Sequence, residues 1–372
     1  MTIHIFNPEH DIALASGLAN FTPPHAGRQL RHDLGWLPAL WASEDDVVLV
    51  DDAELAERSW KRLIGRLGSV AGYQPQFWSW NQLPELSDKD RIDPWGWNPA
   101  LRTALIRAGI PDKLLPTDKQ MTDIRQLSHR GVAAALLPKL RGEGTVGEAF
   151  ECHSVEEVMA LVTQYGKTVM KAPWSSSGRG IRFVDETFAT RQSPSQQATA
   201  TANIMGWLKN ILQTQGAIMV EPFYHKVKDF AMEFFAHHEG KVDFVGLSLF
   251  HTENGAYTGN ILATEQAKQN SLSRHLPLEL LHQMQEEICK QMSKVCERRY
   301  TGPFGVDMMI VRATPEQPCL LHPCVEINLR RTMGHAALAA ERIFNPQNDD
   351  DLRHVMRIDY TNNNYKLRIR NL

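Results

Sequence analysis

A lysine followed by a run of small residues is the first feature of this sequence that points to chemistry. Lys171 follows the apolar residues 168–170 and opens the segment 171–180, Lys-Ala-Pro-Trp-Ser-Ser-Ser-Gly-Arg-Gly. Serine and glycine carry little bulk, so their backbone N–H groups can approach phosphate oxygens closely, and the lysine adds a positive charge. The segment predicts a polyphosphate-binding turn. The alternative is an ordinary hairpin between strands at 167–173 and 181–184.

Two predicted strands further along the chain carry acidic or amide side chains. Residues 304–311 contain Asp307 in an otherwise apolar run, and residues 324–328 contain Glu326 and Asn328. A carboxylate in a buried strand is costly unless it is paired, and the two-residue repeat of a strand places Glu326 and Asn328 on one face. If the strands are neighbours, Asp307 joins them in an all-oxygen set of the kind that Mg²⁺ prefers beside phosphates.

Two arginines, Arg330 and Arg331, follow these acids directly. An ion pair between an arginine and the acids is therefore the alternative to a metal site. A guanidinium group can also hold a phosphate or a carboxylate through two parallel hydrogen bonds. The arginines are for that reason candidate anion-binding residues.

The first part of the sequence predicts an α/β domain. Strands are expected at 3–6 and 47–50 and helices at 26–34 and 54–67, and such alternation is typical of a parallel sheet. The first strand runs into the polar residues 7–11, Asn-Pro-Glu-His-Asp. Ligands of open α/β sheets bind beyond the carboxyl ends of the strands. A substrate contact at 7–11 is one interpretation, and a plain polar loop is the other.

The middle of the chain predicts helices that frame the phosphate-binding turn. Thr117 can begin a helix that Gly131 ends. Ser154 and Glu157 have the spacing of a capping box, with apolar residues at helical intervals behind them. This places a second helix before the strand that leads to Lys171.

The later segments predict strands and one long unstructured connection. Residues 216–223 form an apolar strand that ends at Pro222, because proline cannot donate a hydrogen bond to a sheet. Residues 229–236 and 242–249 predict a hairpin. Residues 255–274 lack apolar periodicity and are long for a simple connection, which predicts a mobile functional loop.

The composition is that of an ordinary globular protein with small-molecule partners. The 372 residues are 42% hydrophobic with a formal net charge of −3, which predicts two or three domains and disfavours nucleic acid or an anionic membrane as a partner. Without a basic leader or a run of ~20 apolar residues, a cytoplasmic protein is expected. Five cysteines are an odd number and favour reduced thiols. Cys319, His322 and Cys324 match no zinc spacing and favour a core position.

The order of these features resembles that of the ATP-grasp superfamily. The matching residues are Lys119, Lys171 with its Ser/Gly turn, Glu221 at a strand end, Asp307, and the Glu-x-Asn-x-Arg sequence at 326–330. The resemblance covers about residues 116–345. It implies two α+β subdomains that clamp ATP, preceded by an N-terminal α/β domain with a parallel sheet. The implied domain bounds are 1–115, 116–220 and 221–372.

The resemblance implies phosphate contacts for several residues. Lys119 and Lys171 would contact phosphates, although a solvated helix lysine and a lysine paired with an acid are the respective alternatives. Arg330 would steady the transferred phosphoryl group or an acyl phosphate, so Lys171 and Arg330 are the expected catalytic residues. The loop over the β- and γ-phosphates would consist of Ser175, Ser176, Ser177, Gly178, Arg179 and Gly180.

The resemblance also implies contacts for the base, the ribose and a metal. Glu221 and Phe223 would meet adenine and Asp229 the ribose hydroxyls, although strand-end acids usually face water. One or two Mg²⁺ ions, with Mn²⁺ as a substitute, would be held by Asp307, Glu326 and Asn328. The sequence departs from the superfamily in having aspartate at 307, serines in place of most loop glycines, and Pro222 directly after the hinge glutamate.

The activity implied by the resemblance is that of an ATP-dependent ligase that forms a C–N bond and releases ADP and phosphate. A small acid, amino acid or peptide would be activated as an acyl phosphate and attacked by an amine or thiol. Residues 255–274 would close over the site, where Lys268 and Arg274 either meet the acid or are surface charges. A homodimer is compatible with the sequence. An ATP-binding regulatory protein without turnover and a kinase-like phosphotransferase remain as alternatives.

Overall fold

Strands in the computed structural model form three sheets among the residues that it describes. Within this part of the chain no helix has the length and hydrophobicity needed to cross a membrane. The described residues are 1–67, 75–83, 85–175, 180–185, 195–253, 256–314, 316–344, 346, 348–349 and 351–371.

The first sheet is parallel and has the strand order β3-β2-β1-β4, as the alternating strands and helices predicted. Strands β2 and β3 lie on one side of β1, and β4 lies on the other side. The strand order therefore reverses between β1 and β4, and such a reversal creates a crevice at the carboxyl ends of the strands. Asn7 bridges this point by donating to the Gly96 carbonyl at 2.8 Å. The elements are β1 (Thr2–Ile5), α1 (His10–Ser16), α2 (His25–Leu34), β2 (Val47–Val50), α3 (Ala53–Leu67), β3 (Gln76–Ser79), β4 (Arg91–Pro94) and α4 (Pro99–Arg107).

The second sheet is antiparallel, with the order β5-β8-β6-β7, and it carries the turn after Lys171 between β6 and β7. Helix α7 begins at the predicted cap, where Ser154 Oγ accepts from the Glu157 N–H at 3.2 Å. Strand β8 runs through residues 220 and 221, across the expected domain boundary. The elements are α5 (Asp118–Leu127), α6 (Gly131–Leu140), β5 (Phe150–Cys152), α7 (Val155–Tyr165), β6 (Thr168–Lys171), β7 (Ile181–Val184), α8 (Ser195–Gln215) and β8 (Ile218–Pro222).

The third sheet has seven strands in the order β13-β12-β9-β10-β11-β14-β15. Apolar residues of α5 and α6, such as Ile124 and Leu136, pack into its core, so the turn between these two helices lies beside this sheet. The elements are β9 (Lys226–Ala236), β10 (Val242–Glu253), β11 (Ala256–Leu262), α9 (Glu265–Ser273), α10 (Leu278–Cys296), β12 (Gly302–Val311), β13 (Leu320–Asn328), α11 (Met333–Phe344), β14 (His354–Thr361) and β15 (Asn364–Asn371).

The prediction of a mobile loop at 255–274 is wrong for its described residues. Strand β11 pairs with β10 and β14, and α9 follows it. The prediction failed because polar residues of this segment are buried and have partners inside the protein, so the segment lacks apolar periodicity although it is ordered. Asn260 donates to Ser248 Oγ at 2.7 Å, and Lys268, 1% exposed, pairs with Glu341 at 2.7 Å. Lys268 is therefore a buried structural residue rather than a surface charge.

The predicted end of the helix at Gly131 is also wrong. Helix α5 ends before Ser128, and Gly131 begins α6. A Cβ at Gly131 would overlap the side chains of Glu151 and His129, so this glycine serves close packing against β5 rather than helix termination. The predicted fold class is nevertheless confirmed: an N-terminal α/β domain with a parallel sheet precedes the α+β layers that the ATP-grasp resemblance implies.

Candidate active site

The register of β12 and β13 brings the predicted oxygen ligands together. Asp307 lies directly opposite Glu326, and Gly305 lies opposite Asn328. Asn328 Nδ2 donates to Asp307 Oδ2 at 3.1 Å. Burial, followed by the charge of Glu326, raises the pKa of Asp307 to about 8. The two strands are therefore neighbours, which is the condition under which the sequence predicts that Asp307 joins Glu326 and Asn328.

This donor set fits a hard divalent cation that arrives together with phosphate. Among the described residues no group of three or more His, Cys, Asp or Glu side chains is arranged to hold a metal alone. Mg²⁺ is usually bound through one or two carboxylates, with waters and phosphate oxygens completing its shell. Asp307, Glu326 and the amide of Asn328 match that pattern. A cation there would also offset the repulsion between the two carboxylates.

Arg130, which carries no sequence motif, lies beside these candidate metal ligands. It lies in the turn between α5 and α6, and its side chain is 6% exposed. Its Nη1 donates to the Ala172 carbonyl at 2.5 Å and to Ser175 Oγ at 2.6 Å. Its Nη2 donates to Glu326 Oε1 at 2.7 Å. The guanidinium therefore links the base of the Ser/Gly turn to a candidate metal ligand.

Lys171 enters the same region from the end of β6, and its alternative role as an ion-pair partner is observed. Its Nζ lies 2.7 Å from Glu221 Oε2 on the neighbouring strand β8, and it donates to the Val325 carbonyl at 3.5 Å. Both members of the pair are buried. Lys171 thus bridges the second sheet to the strand that carries Glu326.

Arg330 lies two residues after the end of β13, next to Asn328. Its Nε and Nη2 each lie 2.7 Å from a different oxygen of Asp11, which is on α1 of the N-terminal domain. Nη2 also donates to Asn328 Oδ1 at 3.1 Å. Burial opposes ionisation of Asp11, but the charge and hydrogen bonds of Arg330, with smaller contributions from His10 and Arg130, together outweigh it and lower the carboxyl pKa. The two-point contact expected of Arg330 is therefore made to an internal carboxylate.

A cleft of about 340 Å³ opens between these elements. It lies at the carboxyl end of β1, where the direction change in the parallel sheet predicts ligand binding. His10 lines the cleft and is almost completely buried, and its Nδ1 has no hydrogen-bond partner within the described part of the chain. Burial lowers the pKa of His10 to about 4. The lining residues are His10, Asp11, Leu14, Ser128, Pro173, Trp174, Ser175, Glu326, Ile327, Asn328 and Leu329.

Known structures share this overall arrangement at low sequence identity. No protein-family model matches the chain, and no curated protein matches it. N5-carboxyaminoimidazole synthetase from Staphylococcus aureus, complexed with ADP, is 11% identical with a TM-score of 0.48, over 97% of this chain and 83% of that one. The biotin carboxylase domain of the Hydrogenobacter thermophilus 2-oxoglutarate carboxylase, complexed with MgADP, ADP and bicarbonate, is 12% identical with a TM-score of 0.49, over 96% and 74% of the two chains.

Biotin carboxylase from Campylobacter jejuni is similar to the same degree. It is 10% identical with a TM-score of 0.49, and the match covers 98% of this chain and 77% of that one. At these values the likeness assigns no role to any residue.

The first expected phosphate lysine, Lys119, is not brought to the group. It lies in the first turn of α5 with its side chain 80% exposed, and its Nζ pairs with Asp123 at 2.7 Å. Asp123 is held in turn by Arg299 at 3.1 Å. The exposed side chain and its pairing with Asp123 match the solvated helix lysine named as the alternative.

The Ser/Gly turn is described only at its two ends. Ser175 accepts from Arg130 and lines the cleft. Gly180 lies so close to Ser175 that a Cβ there would overlap the serine side chain. The predicted phosphate contacts of Ser176, Ser177, Gly178 and Arg179 fall outside the described residues.

The residues expected at adenine and ribose have partners within the protein. The carboxylate of Glu221 is committed to Lys171. The Phe223 N–H donates to the Lys167 carbonyl at 2.9 Å. Asp229 Oδ2 lies 2.5 Å from Lys226 Nζ and accepts from Thr252 at 2.7 Å. Their nucleotide roles remain predictions.

Three residues of this site were not predicted individually from the sequence: His10 and Asp11 line the cleft, and Arg130 pairs with the cleft residue Glu326. Arg130 carries no motif, because a single arginine in a helix–helix turn is common. His10 and Asp11 fall within the polar segment 7–11 that the strand-end rule marked, but the rule could not choose among its five residues. Sequence reasoning fails here because the partners lie far away along the chain.

Two of the three cysteine and histidine residues near 320 occupy the core, as expected. His322 and Cys324 are almost completely buried, whereas Cys319 is partly buried and packs against the core. All five cysteines are free. Neither ring nitrogen of His322 has a hydrogen-bond partner within the described residues. Burial, followed by the charge of Lys171, lowers its pKa to about 3.

Proposed function

We propose that this protein is an ATP-dependent ligase that joins a small carboxylic acid to an amine or thiol and releases ADP and phosphate. The observation that carries the proposal is one convergence. Glu326 and Asn328 of β13 line the cleft, and Asp307 of β12 contacts Asn328 beside it. Arg130 pairs with Glu326, and Lys171 contacts the Val325 carbonyl on the same strand. Cations and metal-type oxygen ligands gathered around one cleft match the needs of phosphoryl transfer.

The proposed reaction has two steps. The substrate carboxylate attacks the γ-phosphorus of ATP, the bond from that phosphorus to the bridging oxygen breaks, and ADP leaves. The amine then attacks the acyl carbon of the acyl phosphate, a C–N bond forms, the C–O bond breaks, and phosphate leaves while the amine proton passes to solvent. No covalent bond to the protein is needed.

The residues of this chain would supply positioning and charge. Lys171 and Arg330 would bind phosphoryl oxygens and the developing acyl phosphate, which is the electrostatic contribution that dominates such chemistry. A divalent cation held by Asp307, Glu326 and Asn328 supplies charge neutralisation at the phosphoryl oxygens. The turn from Ser175 to Gly180 would cover the phosphates and exclude water, which otherwise hydrolyses an acyl phosphate.

The nucleotide would extend from the phosphates toward the end of β8. We propose that Glu221 meets adenine through its backbone, since its carboxylate is committed to Lys171. Phe223 would take part through its carbonyl, since its N–H is also committed. Asp229 would bind the ribose hydroxyls by exchanging its contact with Lys226.

The test is incubation of the purified protein with ATP, Mg²⁺ and pooled amino acids, with ADP and products followed by mass spectrometry. Substrate-dependent ADP together with an amide product supports the ligase. A stable phosphorylated product favours the phosphotransferase, and nucleotide binding without turnover favours the regulatory protein.

A second arm does not depend on knowing the substrate. MgADP and acetyl phosphate, a generic acyl phosphate, should yield ATP by the reverse of the first step. Failure to bind MgADP at all would contradict every version of the proposal.

A further inference from the structure

Arg130 is fixed to the base of the Ser/Gly turn by its own backbone and side chain. Its N–H donates to the Pro173 carbonyl at 3.1 Å, and its Nη1 donates to the Ala172 carbonyl and to Ser175 Oγ. These contacts hold the guanidinium where the chain leaves β6.

One of the remaining donors of Arg130 contacts a candidate metal ligand. Nη2 donates to Glu326 Oε1 at 2.7 Å and to the Ser175 carbonyl at 3.4 Å. Nε is buried and has no hydrogen-bond partner among the residues that the structure describes. A guanidinium has five N–H donors, so Arg130 has the capacity for an anion in addition to its present contacts.

The contact to Glu326 places two roles in competition. Glu326 Oε1 cannot serve a divalent cation fully while it accepts a charge-assisted hydrogen bond from Arg130, since both draw on the same charge. A cation on Glu326 would therefore loosen Nη2, while Ala172 and Ser175 would keep the guanidinium in place. The released donor would then lie between the turn and the metal ligands.

We propose that Arg130 is an exchange residue: it pairs with Glu326 in the nucleotide-free protein and binds the polyphosphate when a divalent cation takes Glu326. This rests on the proposed nucleotide function and adds a phosphate-binding residue to it. Arg130 would then make the kind of phosphate contact that the resemblance implied for Lys119, whose side chain is 80% exposed.

The test compares two affinities in Arg130→Gln, which removes the charge and keeps a hydrogen-bonding side chain. Mn²⁺ affinity without nucleotide, from electron paramagnetic resonance, should rise by about tenfold, because Glu326 loses its competitor. MgADP affinity, from calorimetry, should fall by about tenfold or more, because a charge-assisted contact to phosphate is lost. A residue that only supports the fold would lower both affinities.

Three further variants sharpen the comparison. Arg130→Lys keeps the charge and should recover part of the MgADP affinity. Lys119→Ala should cost less MgADP affinity than Arg130→Gln does. Arg141→Gln, at the exposed far end of α6, should leave both affinities within about twofold of wild type, since exposed ion pairs contribute little.

A reciprocal measurement keeps the inference testable if Arg130→Gln does not fold. Glu326→Gln frees Arg130 from its carboxylate and should strengthen binding of metal-free ADP, measured with EDTA, by about tenfold. Unchanged metal-free ADP affinity in that variant, or parallel losses of Mn²⁺ and MgADP affinity in Arg130→Gln, overturns the inference while the ligase proposal stands. Wild-type protein that binds no MgADP overturns both.

Discussion

At the scale of single residues, the site is a set of cations that are each paired with an internal carboxylate. Lys171 pairs with Glu221, and Arg130 pairs with Glu326. The Lys171 pair is buried on both sides, and breaking a buried pair leaves an uncompensated charge that costs more than the pair contributes. Removing one partner should therefore destabilise the fold more than replacing both partners by apolar residues.

For Lys171 the expected result is a stability change that depends on its partner. Lys171→Met should lower the free energy of unfolding by about 3 kcal/mol, because Glu221 stays buried without a partner. The double variant Lys171→Met/Glu221→Leu should lie within about 1 kcal/mol of wild type. Urea denaturation measures both, and equal losses in the two variants would show that the pair itself stabilises the fold.

His322 should make the protein sensitive to acid. Its pKa of about 3 in the folded protein lies below the value of about 6.5 in an unfolded chain, so stability is lost as the pH falls through that interval. Between pH 7 and pH 5 this amounts to about 2 kcal/mol.

The comparison is between wild type and His322→Leu, which cannot be protonated. Urea denaturation at pH 7 and pH 5 should show a smaller loss in the variant, by about 2 kcal/mol. The same loss in both proteins would mean that His322 takes up its proton without unfolding.

At the scale of elements, the strands and helices themselves were easier to predict than which strands pair with each other. The strand that carries Asp307 and the one that carries Glu326 follow from apolar runs, and the α7 cap follows from Ser154 and Glu157. The pairing of β12 with β13 was only a condition in the sequence, because register depends on contacts between distant segments. The burial of Lys268 could not be predicted for the same reason, because its partner Glu341 is 73 residues away along the chain.

The packing of α11 on the third sheet depends on a glycine near its N-terminus. A Cβ at Gly334 would overlap the buried carboxylate of Glu233 and would lie 2.6 Å from Ser248 Oγ. Gly334→Ala should therefore destabilise the fold by about 2 kcal/mol, because an added methyl group in a filled core forces the helix outward.

The matched control is Gly206→Ala in α8, where nothing lies within 4 Å of the added Cβ. There the substitution should stabilise the protein by up to about 1 kcal/mol, because alanine favours a helix more than glycine does. Thermal unfolding of both variants gives the comparison, and a neutral Gly334→Ala would show that α11 can shift without cost.

At the scale of the whole molecule, the candidate site is assembled from three parts of the chain. Asp11 comes from the N-terminal domain, Lys171 from the second sheet, and Asp307 and Glu326 from the third. The sequence predicted the second and third contributions from the order of motifs. It could not predict Asp11, because the contact to Arg330 spans 319 residues and leaves no local pattern.

A crystal structure with Mg²⁺ and a non-hydrolysable ATP analogue tests the central claim most directly. We expect the triphosphate in the cleft, with Lys171 and Arg130 within hydrogen-bond distance of its oxygens and the metal on Asp307 and Glu326. A nucleotide bound elsewhere, or a metal that contacts neither carboxylate, would contradict it.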